Sequence, residues 1–306
     1  MSIEVVGVIG CGQMGLGIAE ACASAGLRVV LVKATGGDTS KAQVRLARSV
    51  GRRLKKGKID LAEHEAIIAR VDIQADLEGL NQCDLVIESA LEDFDVKVEL
   101  LKQLESKMTP GAILASNTSS LPLVDLAAQL SRPHQFLALH FFNPARVMKL
   151  VELGITDLTA PGVIVACRTF CESIGKTPVE VTASPGYVVN RLLVPYILHA
   201  IETLESGVAD ADAIDTAMKL GCNHPIGPLA LADLIGLDVV AAMANTLGRE
   251  LRDGRYRVPS LLRKLVSMRQ LGMKSGLGIY DYSGETPRIN PAIRLEPVSA
   301  LLAAAE

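Results

Sequence analysis

The chain contains no tryptophan, and aromatic residues make up only 3% of its 306 positions. Proteins that grip single-stranded nucleic acids by stacking bases on side-chain rings need more than that. An excess of charge of one sign is missing too. The 31 Lys and Arg stand against 34 Asp and Glu, a formal net charge of −3, so no global field favours nucleic acid or an anionic membrane as partner. The six cysteines, at positions 11, 22, 83, 167, 171 and 222, include no C-x-x-C pair and have no histidine cluster beside them. That pattern suits neither a disulfide framework nor a zinc site, and it predicts reduced, mostly buried thiols in a cytoplasmic protein. Long hydrophobic runs are lacking as well: residues 192–201 lie between Arg191 and Glu202 and include His199, a stretch too short to span a bilayer. No basic region followed by an apolar segment leads into Ile3-Glu4-Val5-Val6, so no signal peptide is expected.

What the chain does have is apolar substance, 49% hydrophobic residues, enough for the core of one large domain or two modest ones. In the first half, short apolar runs at 5–9, 28–32, 85–88, 113–115 and 136–139 alternate with helical patterns at 13–25, 40–56, 95–107 and 121–129. Runs of this kind are buried in parallel sheets. Their β-α-β order predicts an α/β fold, a Rossmann-type doubly wound sheet with helices on both faces. Residues 150–153 and 179–181 read as strands that extend it.

At Ser184-Pro185-Gly186 the pattern changes to helical periodicity broken by Gly and Pro, with no strand expected before Ile279-Tyr280. Helices are expected at 210–220 and 229–247, the second starting just after Pro228. The expected organisation is a dinucleotide-binding domain at 1–184 and an all-helical substrate and dimerisation domain at 185–282. The tail at 283–306, with Pro287, Pro291 and Pro297, is expected to be loose or a short docked helix.

Gly10-Cys11-Gly12-Gln13-Met14-Gly15 follows the first strand and opens a helix, the context a dinucleotide fingerprint requires. Gly10 permits the tight turn, Gly12 lets the backbone approach a pyrophosphate, and Gly15 allows close helix–strand packing. The helix N-terminus then offers N–H groups to the phosphates. At the end of the second strand an NAD site normally places Asp or Glu against the ribose hydroxyls, but this chain has Lys33. Either the ammonium selects a 2′-phosphate and hence NADP, or Lys33 faces solvent and backbone groups hold the ribose; Asp38 is too late in the loop to substitute.

Transferring a hydride from an alcohol requires a base for the hydroxyl proton, a role histidine fills in both directions near neutral pH. His140 ends the apolar run 136–139, at the sheet edge where doubly wound folds place ligands. Glu152 lies twelve residues on in another strand, and a turn through Pro144 would bring the two together. A carboxylate against one imidazole nitrogen fixes the tautomer and stabilises the imidazolium. His64, His134, His199 and His224 are read as structural.

Five blocks in order give the chain a resemblance: Ala115-Ser116-Asn117-Thr118-Ser119-Ser120; His140-Phe141-Phe142-Asn143-Pro144 with Val147-Met148-Lys149-Leu150-Val151-Glu152; Pro185-Gly186-Tyr187-Val188-Val189-Asn190-Arg191; His224-Pro225-Ile226-Gly227-Pro228; and Gly236-Leu237-Asp238. Together with the glycine loop they resemble the 3-hydroxyacyl-CoA dehydrogenase family, in particular its short bacterial 3-hydroxybutyryl-CoA dehydrogenase type. The resemblance implies that His140 is the general base and Glu152 its orienting partner, with Ser119 and Asn190 hydrogen-bonded to the reacting substrate oxygen. It implies that Gln13, Met14, Glu92, Lys97, Ser119, Asn143 and Lys274 line the nicotinamide cofactor site with the three glycines, and that Ser49 and Lys56, on one helix face, contact the acyl-CoA. It further implies a homodimer formed through the C-terminal domain. Lys33 departs from the family pattern, which has an acid there, so the cofactor is NAD or NADP.

The basic segment that holds Arg45, Arg48, Arg52, Arg53, Lys55, Lys56 and Lys58 is for the most part a solvated helix face. It would also attract a phosphate-bearing carrier, either CoA or the arm of an acyl-carrier protein. A catalytically silent homologue is the contrasting reading. It predicts loss of at least one of Ser119, His140, Glu152 and Asn190, and all four are present.

Overall fold

Short Val-, Ile- and Leu-rich runs become the interior of an eight-stranded sheet in this computed structural model, which describes residues 2–293. In chain order its elements are β1 (Val5–Ile9), α1 (Gln13–Ser24), β2 (Arg28–Val32), α2 (Ser40–Lys55), α3 (Leu61–Ala69), β3 (Val71–Gln74), β4 (Leu85–Glu88), α4 (Phe94–Lys107), β5 (Ile113–Ser116), α5 (Leu123–Ala128), β6 (Phe136–Phe141), β7 (Leu150–Ile155), α6 (Pro161–Ser173) and β8 (Thr177–Thr182). The strand order is β3-β2-β1-β4-β5-β6-β7-β8. The first six strands run parallel, as expected of a Rossmann-type sheet. The alternation of side chains along each strand feeds two cores. Val6, Val8, Leu85 and Ile87 pack with Ile18, Leu46, Ile67 and Phe170. Ile9, Val86 and Leu114 pack with Leu101, Leu104 and Leu126 of α4 and α5. Each such side chain, buried completely, contributes roughly 1.5–3 kcal/mol.

Local chemistry sets the helix boundaries. Asp60 and Asp93 cap α3 and α4 by accepting from Glu63 N (2.7 Å) and Val96 N (3.1 Å). Helix α2 buries only Ala42, Leu46 and Val50, spaced four apart, and its other faces are basic and exposed.

After β6 the chain turns at a cis Asn143–Pro144 bond and returns antiparallel as β7, with β8 parallel to β7. The strands β7 and β8 therefore reverse the direction of the parallel six. Three elements of this part had no counterpart in the sequence reading: α3, α6 and β3. The β3 stretch Val-Asp-Ile-Gln is an edge strand with no fully buried residue, so it lacks the continuous apolar run that marks the inner strands.

The chain divides into two compact units between Tyr187 and Val188. The second contains α7 (Val189–Glu205), α8 (Ala211–Gly221), α9 (Pro228–Ile235), α10 (Leu237–Leu251), α11 (Ser260–Ser267) and a short hairpin of β9 (Tyr280–Asp281) and β10 (Arg288–Ile289). The single helix expected at 229–247 is two. Gly236, at φ +104°, breaks it, and α9 and α10 meet at 94°; a backbone angle of that kind suits glycine alone. The first residues of the expected loose tail are ordered by Asn290, a buried side chain that donates to Gly278 O (2.7 Å) and Gln270 Oε1 (2.8 Å). Pro297 and the rest of the tail from residue 294 lie outside the described residues.

Two buried carboxylates organise this unit from within. Asp215 accepts from the N–H groups of Leu229 and Ala230 at the start of α9 (2.8 and 2.9 Å), and from the Tyr280 hydroxyl (2.9 Å). Asp233 accepts from Ile279 N, Tyr280 N and the Tyr282 hydroxyl at 2.8–3.0 Å. Burial pushes the Asp233 carboxyl up, against the pull of these donors. No single helix among the described residues is long and apolar enough to cross a membrane.

Candidate active site

The carboxyl ends of the parallel strands bring the polar residues into one row. At the end of β1, Gly10 (φ +113°) begins the glycine loop, and its N–H donates to Val32 O at the end of β2 (2.8 Å). A Cβ on Gly10 would collide with the Ser89 carbonyl, and one on Gly15 with the Gly10 carbonyl. Over Gly12 nothing stands within 4 Å. The loop is thus packed on its inner side and open where a ligand backbone would approach. Helix α1 starts here with no side chain capping it and no acid in its first turn, so Gln13 and Met14 lie at an N-terminus suited to phosphate. The residues present fit a dinucleotide.

Glu88 closes β4. Its side chain is fully buried, accepting from Lys97 Nζ (2.6 Å), Ala90 N (2.6 Å) and Ser116 Oγ (2.6 Å). Lys97, itself buried, also lies 3.4 Å from Glu92. Glu92 in turn gathers the 118–120 turn: Thr118 Oγ1 (2.7 Å), Ser119 N (2.9 Å) and Ser120 N (3.2 Å) all donate to it. Burial raises the Glu92 carboxyl, but Lys97 and these donors outweigh it and hold the group below its ordinary value. Ser119, half-buried, is therefore positioned by Glu92, its hydroxyl 3.4 Å from the same oxygen.

His140 and Glu152 are direct cross-strand partners in the β6–β7 ladder, both buried, with Nδ1 2.8 Å from Glu152 Oε2. Phe142 packs on the imidazole with ring centroids 4.5 Å apart, and Tyr187 with centroids 5.5 Å apart. Tyr187 fits because Gly154 makes room: a Cβ there would stand 2.6 Å from the tyrosine Cε1. The turn after His140 is tied to the glycine loop by Gln13 Nε2 donating to Asn143 Oδ1 (3.0 Å). From below, buried Lys176 donates to the carbonyls of Ala145 (2.6 Å), Arg146 (3.2 Å) and Met148 (2.7 Å).

Seven of the expected site residues of the first unit thus fall into three groups: His140 with Glu152, Ser119 with Glu92 and Lys97, and Gln13 with Asn143. Ser49 lies near the last of these, in an open cavity of about 340 Å³ shared with Gln13, Arg45, Arg52, Asn143 and Arg146. Its hydroxyl is turned to the buried Glu20 (2.6 Å), which also pairs with Arg53 and Arg146. Lys56 is the C-cap of α2, its N–H still bonded to Arg52 O (3.2 Å), and the chain turns just beyond it at Gly57 (φ +63°). Asn190 and Lys274 belong to the second unit. Asn190 is buried in the first turn of α7, and Lys274 pairs with Asp238 at 2.5 Å. A cavity of about 740 Å³ among residues such as Asn245, Arg257 and Arg263 contains none of the expected site residues.

Glu88, Ser116 and Asn117 were not singled out as site residues from the sequence. Asn117 accepts from Phe141 N (2.8 Å) and so binds β5 to the strand of His140. The signal for Glu88 was present: an acid at the end of an otherwise apolar, fully buried strand needs a partner.

Two family models match the chain. The NAD binding domain of 3-hydroxyacyl-CoA dehydrogenase matches residues 5–184, and the C-terminal domain of the same enzyme matches residues 186–282. A 3-hydroxybutyryl-CoA dehydrogenase of Clostridioides difficile is 43% identical over 276 residues, 90% of this chain and 98% of that protein. The mitochondrial hydroxyacyl-coenzyme A dehydrogenase of Homo sapiens is 38% identical, over 92% of this chain and 91% of its own length. The crystal structure of (S)-3-hydroxybutyryl-CoA dehydrogenase from Ralstonia eutropha superposes with a TM-score of 0.87 at 44% identity, covering 92% of this chain and all of that one. With both halves matched and the glycine loop and His–Glu pair in place, the chain belongs to the 3-hydroxyacyl-CoA dehydrogenase family.

Proposed function

We propose that this chain interconverts short-chain (3S)-3-hydroxyacyl-CoA and 3-ketoacyl-CoA thioesters with a nicotinamide dinucleotide as redox partner. The observation that carries the reading is the buried His140–Glu152 pair at the carboxyl edge of the sheet, joined to the glycine loop through Asn143 and Gln13. The relatives named 3-hydroxybutyryl-CoA dehydrogenase support the short acyl chain.

With Nδ1–H directed at Glu152, the imidazole presents unprotonated Nε2 to a substrate. In the oxidative direction Nε2 takes the proton of the 3-hydroxyl, and the Glu152 carboxylate stabilises the imidazolium formed. In reduction the same proton returns to the substrate oxygen. The bound nicotinamide supplies the hydride acceptor or donor. We assign Ser119 and Asn190 to hydrogen-bond the reacting oxygen. The arginines beside Ser49 give α2 the charge to attract the phosphates of CoA.

We also propose that the helical unit pairs two copies of the chain, supported by exposed Leu192, Leu220 and Leu234 on it. The six free cysteines, four of them buried, support a reducing compartment, the cytoplasm.

The test is to follow nicotinamide absorbance while the protein reduces acetoacetyl-CoA, with NADH and NADPH in parallel. Turnover with at least one cofactor is expected. Its absence with both, in a folded protein that binds dinucleotide, would overturn the assignment of this substrate.

A further inference from the structure

The end of β2 carries a cation where a dinucleotide site for NAD needs an acid. In such sites a carboxylate accepts hydrogen bonds from the adenosine ribose hydroxyls. Here β2 runs through Val32 into Lys33, and the position is well fixed. Lys33 N–H donates to Gln74 O on the neighbouring strand (3.0 Å), while Gly10 N–H clamps the glycine loop to Val32 O (2.8 Å). The Lys33 ammonium folds over the turn that follows, 3.7 Å from where a Cβ would stand on Gly37.

A second cation reaches the same place from α2. The Arg45 guanidinium donates to Cys11 O inside the glycine loop (3.3 Å). Lys33 and Arg45 both act on the Cys11 thiol: burial raises it, and these two cations pull it back down. The first carboxylate after β2 is Asp38, and both its oxygens are engaged by Ser40, through N–H (2.9 Å) and Oγ (2.7 Å). The Ser40 donors, with Lys33 and Lys41 nearby, hold the Asp38 carboxyl below its ordinary value.

We propose that Lys33 and Arg45 receive the 2′-phosphate of the adenosine ribose, so that this chain takes NADP(H) in preference to NAD(H). A carboxylate at position 33 would repel that dianion; an ammonium attracts it, and a guanidinium adds a planar fork matched to phosphate oxygens. The proposal rests on reading the glycine loop as the dinucleotide site.

The experiment is binding, separate from turnover. The full chain is titrated by calorimetry with 2′,5′-ADP and with 5′-AMP, which differ only in the 2′-phosphate, and by nicotinamide fluorescence with NADPH and NADH. The wild type is expected to bind the phosphorylated member of each pair about tenfold tighter or better, an advantage that shrinks with added salt. Lys33→Ala and Arg45→Ala are each expected to shrink the advantage several-fold, the double variant to abolish it, and Lys33→Asp to reverse it. Equal binding of both members by the wild type, or an advantage unchanged in the Lys33→Ala/Arg45→Ala double variant, overturns the proposal and leaves the cofactor-site reading standing. If no nucleotide binds to the folded protein, both fall together.

Discussion

Glu152 stands directly opposite His140 across the antiparallel β6–β7 ladder, and its carboxylate meets the imidazole at Nδ1, 2.8 Å away. Backbone register alone thus aims the acid at the ring, and neither side chain relies on a flexible loop. Removing the base in His140→Ala should lower kcat/KM for acetoacetyl-CoA reduction by about 10²–10⁴-fold while dinucleotide affinity is kept. Glu152→Gln should lower it too, because an amide holds the tautomer without stabilising the imidazolium. The double variant should be little worse than His140→Ala, since the two side chains act as a unit. Additive losses in steady-state kinetics would show that Glu152 works independently of His140.

That pairing was legible in the sequence because a histidine ended one apolar run, an acid lay in the next, and a proline stood between them. The parallel core and the glycine loop were legible for the same reason: buried strands advertise themselves as continuous apolar runs. The antiparallel return of β7 was not legible, because strand direction depends on the connection and the composition of β7 is silent on it. The break at Gly236 was hidden by apolar periodicity that continues through α9 and α10. Glu88 and Lys97 illustrate a different limit. Their ion pair is buried, with a separation of 2.6 Å, yet they lie on a strand and a helix whose mutual approach only the folded core defines.

Lys176 fastens the turn that follows β6, the strand of His140. One ammonium serves the carbonyls of Ala145, Arg146 and Met148 at 2.6–3.2 Å, and burial lowers its pKa. Lys176→Met keeps much of the volume but strands three acceptors. The loss expected is about 2–4 kcal/mol of unfolding free energy, read from urea denaturation. Asn143 belongs to the same turn, so dinucleotide affinity should fall as well. Unchanged stability and affinity together would show that the carbonyls are served equally well by water.

Glu92 gives the protein an acid-sensitive element. Its folded-state pKa lies below the ordinary value of 4.5, so between the two the unfolded chain binds the proton and the folded one does not. The stabilisation is therefore fully present above about pH 4.5 and is lost as pH falls through the lower, folded value. Thermal unfolding of the wild type and Glu92→Gln should show the wild type ahead at pH 7 and the gap narrowing below pH 4.5. A gap that stays constant below pH 4.5 would show that the stabilisation does not come from the ionised carboxylate, and no gap at pH 7 would show that the amide serves the donors of the 118–120 turn equally well.

Gly154 keeps the place of Tyr187 open. It pairs with Ala138 across β6–β7, and a Cβ there would lie 2.6 Å from the tyrosine Cε1 and 2.9 Å from the Ala138 Cβ. Neither neighbour yields easily. Ala138 is in a buried strand, and Tyr187 is a buried ring held at φ +44°. Gly154→Ala should therefore push the ring away from His140, at a cost of about 1–3 kcal/mol in stability. Because the imidazole loses one of its two packed rings, kcat should fall while dinucleotide affinity, governed by the glycine loop, stays at the wild-type level. Stopped-flow turnover beside a fluorescence titration of NADPH separates the two. A variant that loses affinity and keeps kcat would place the role of Tyr187 in cofactor binding and remove it from the support of His140.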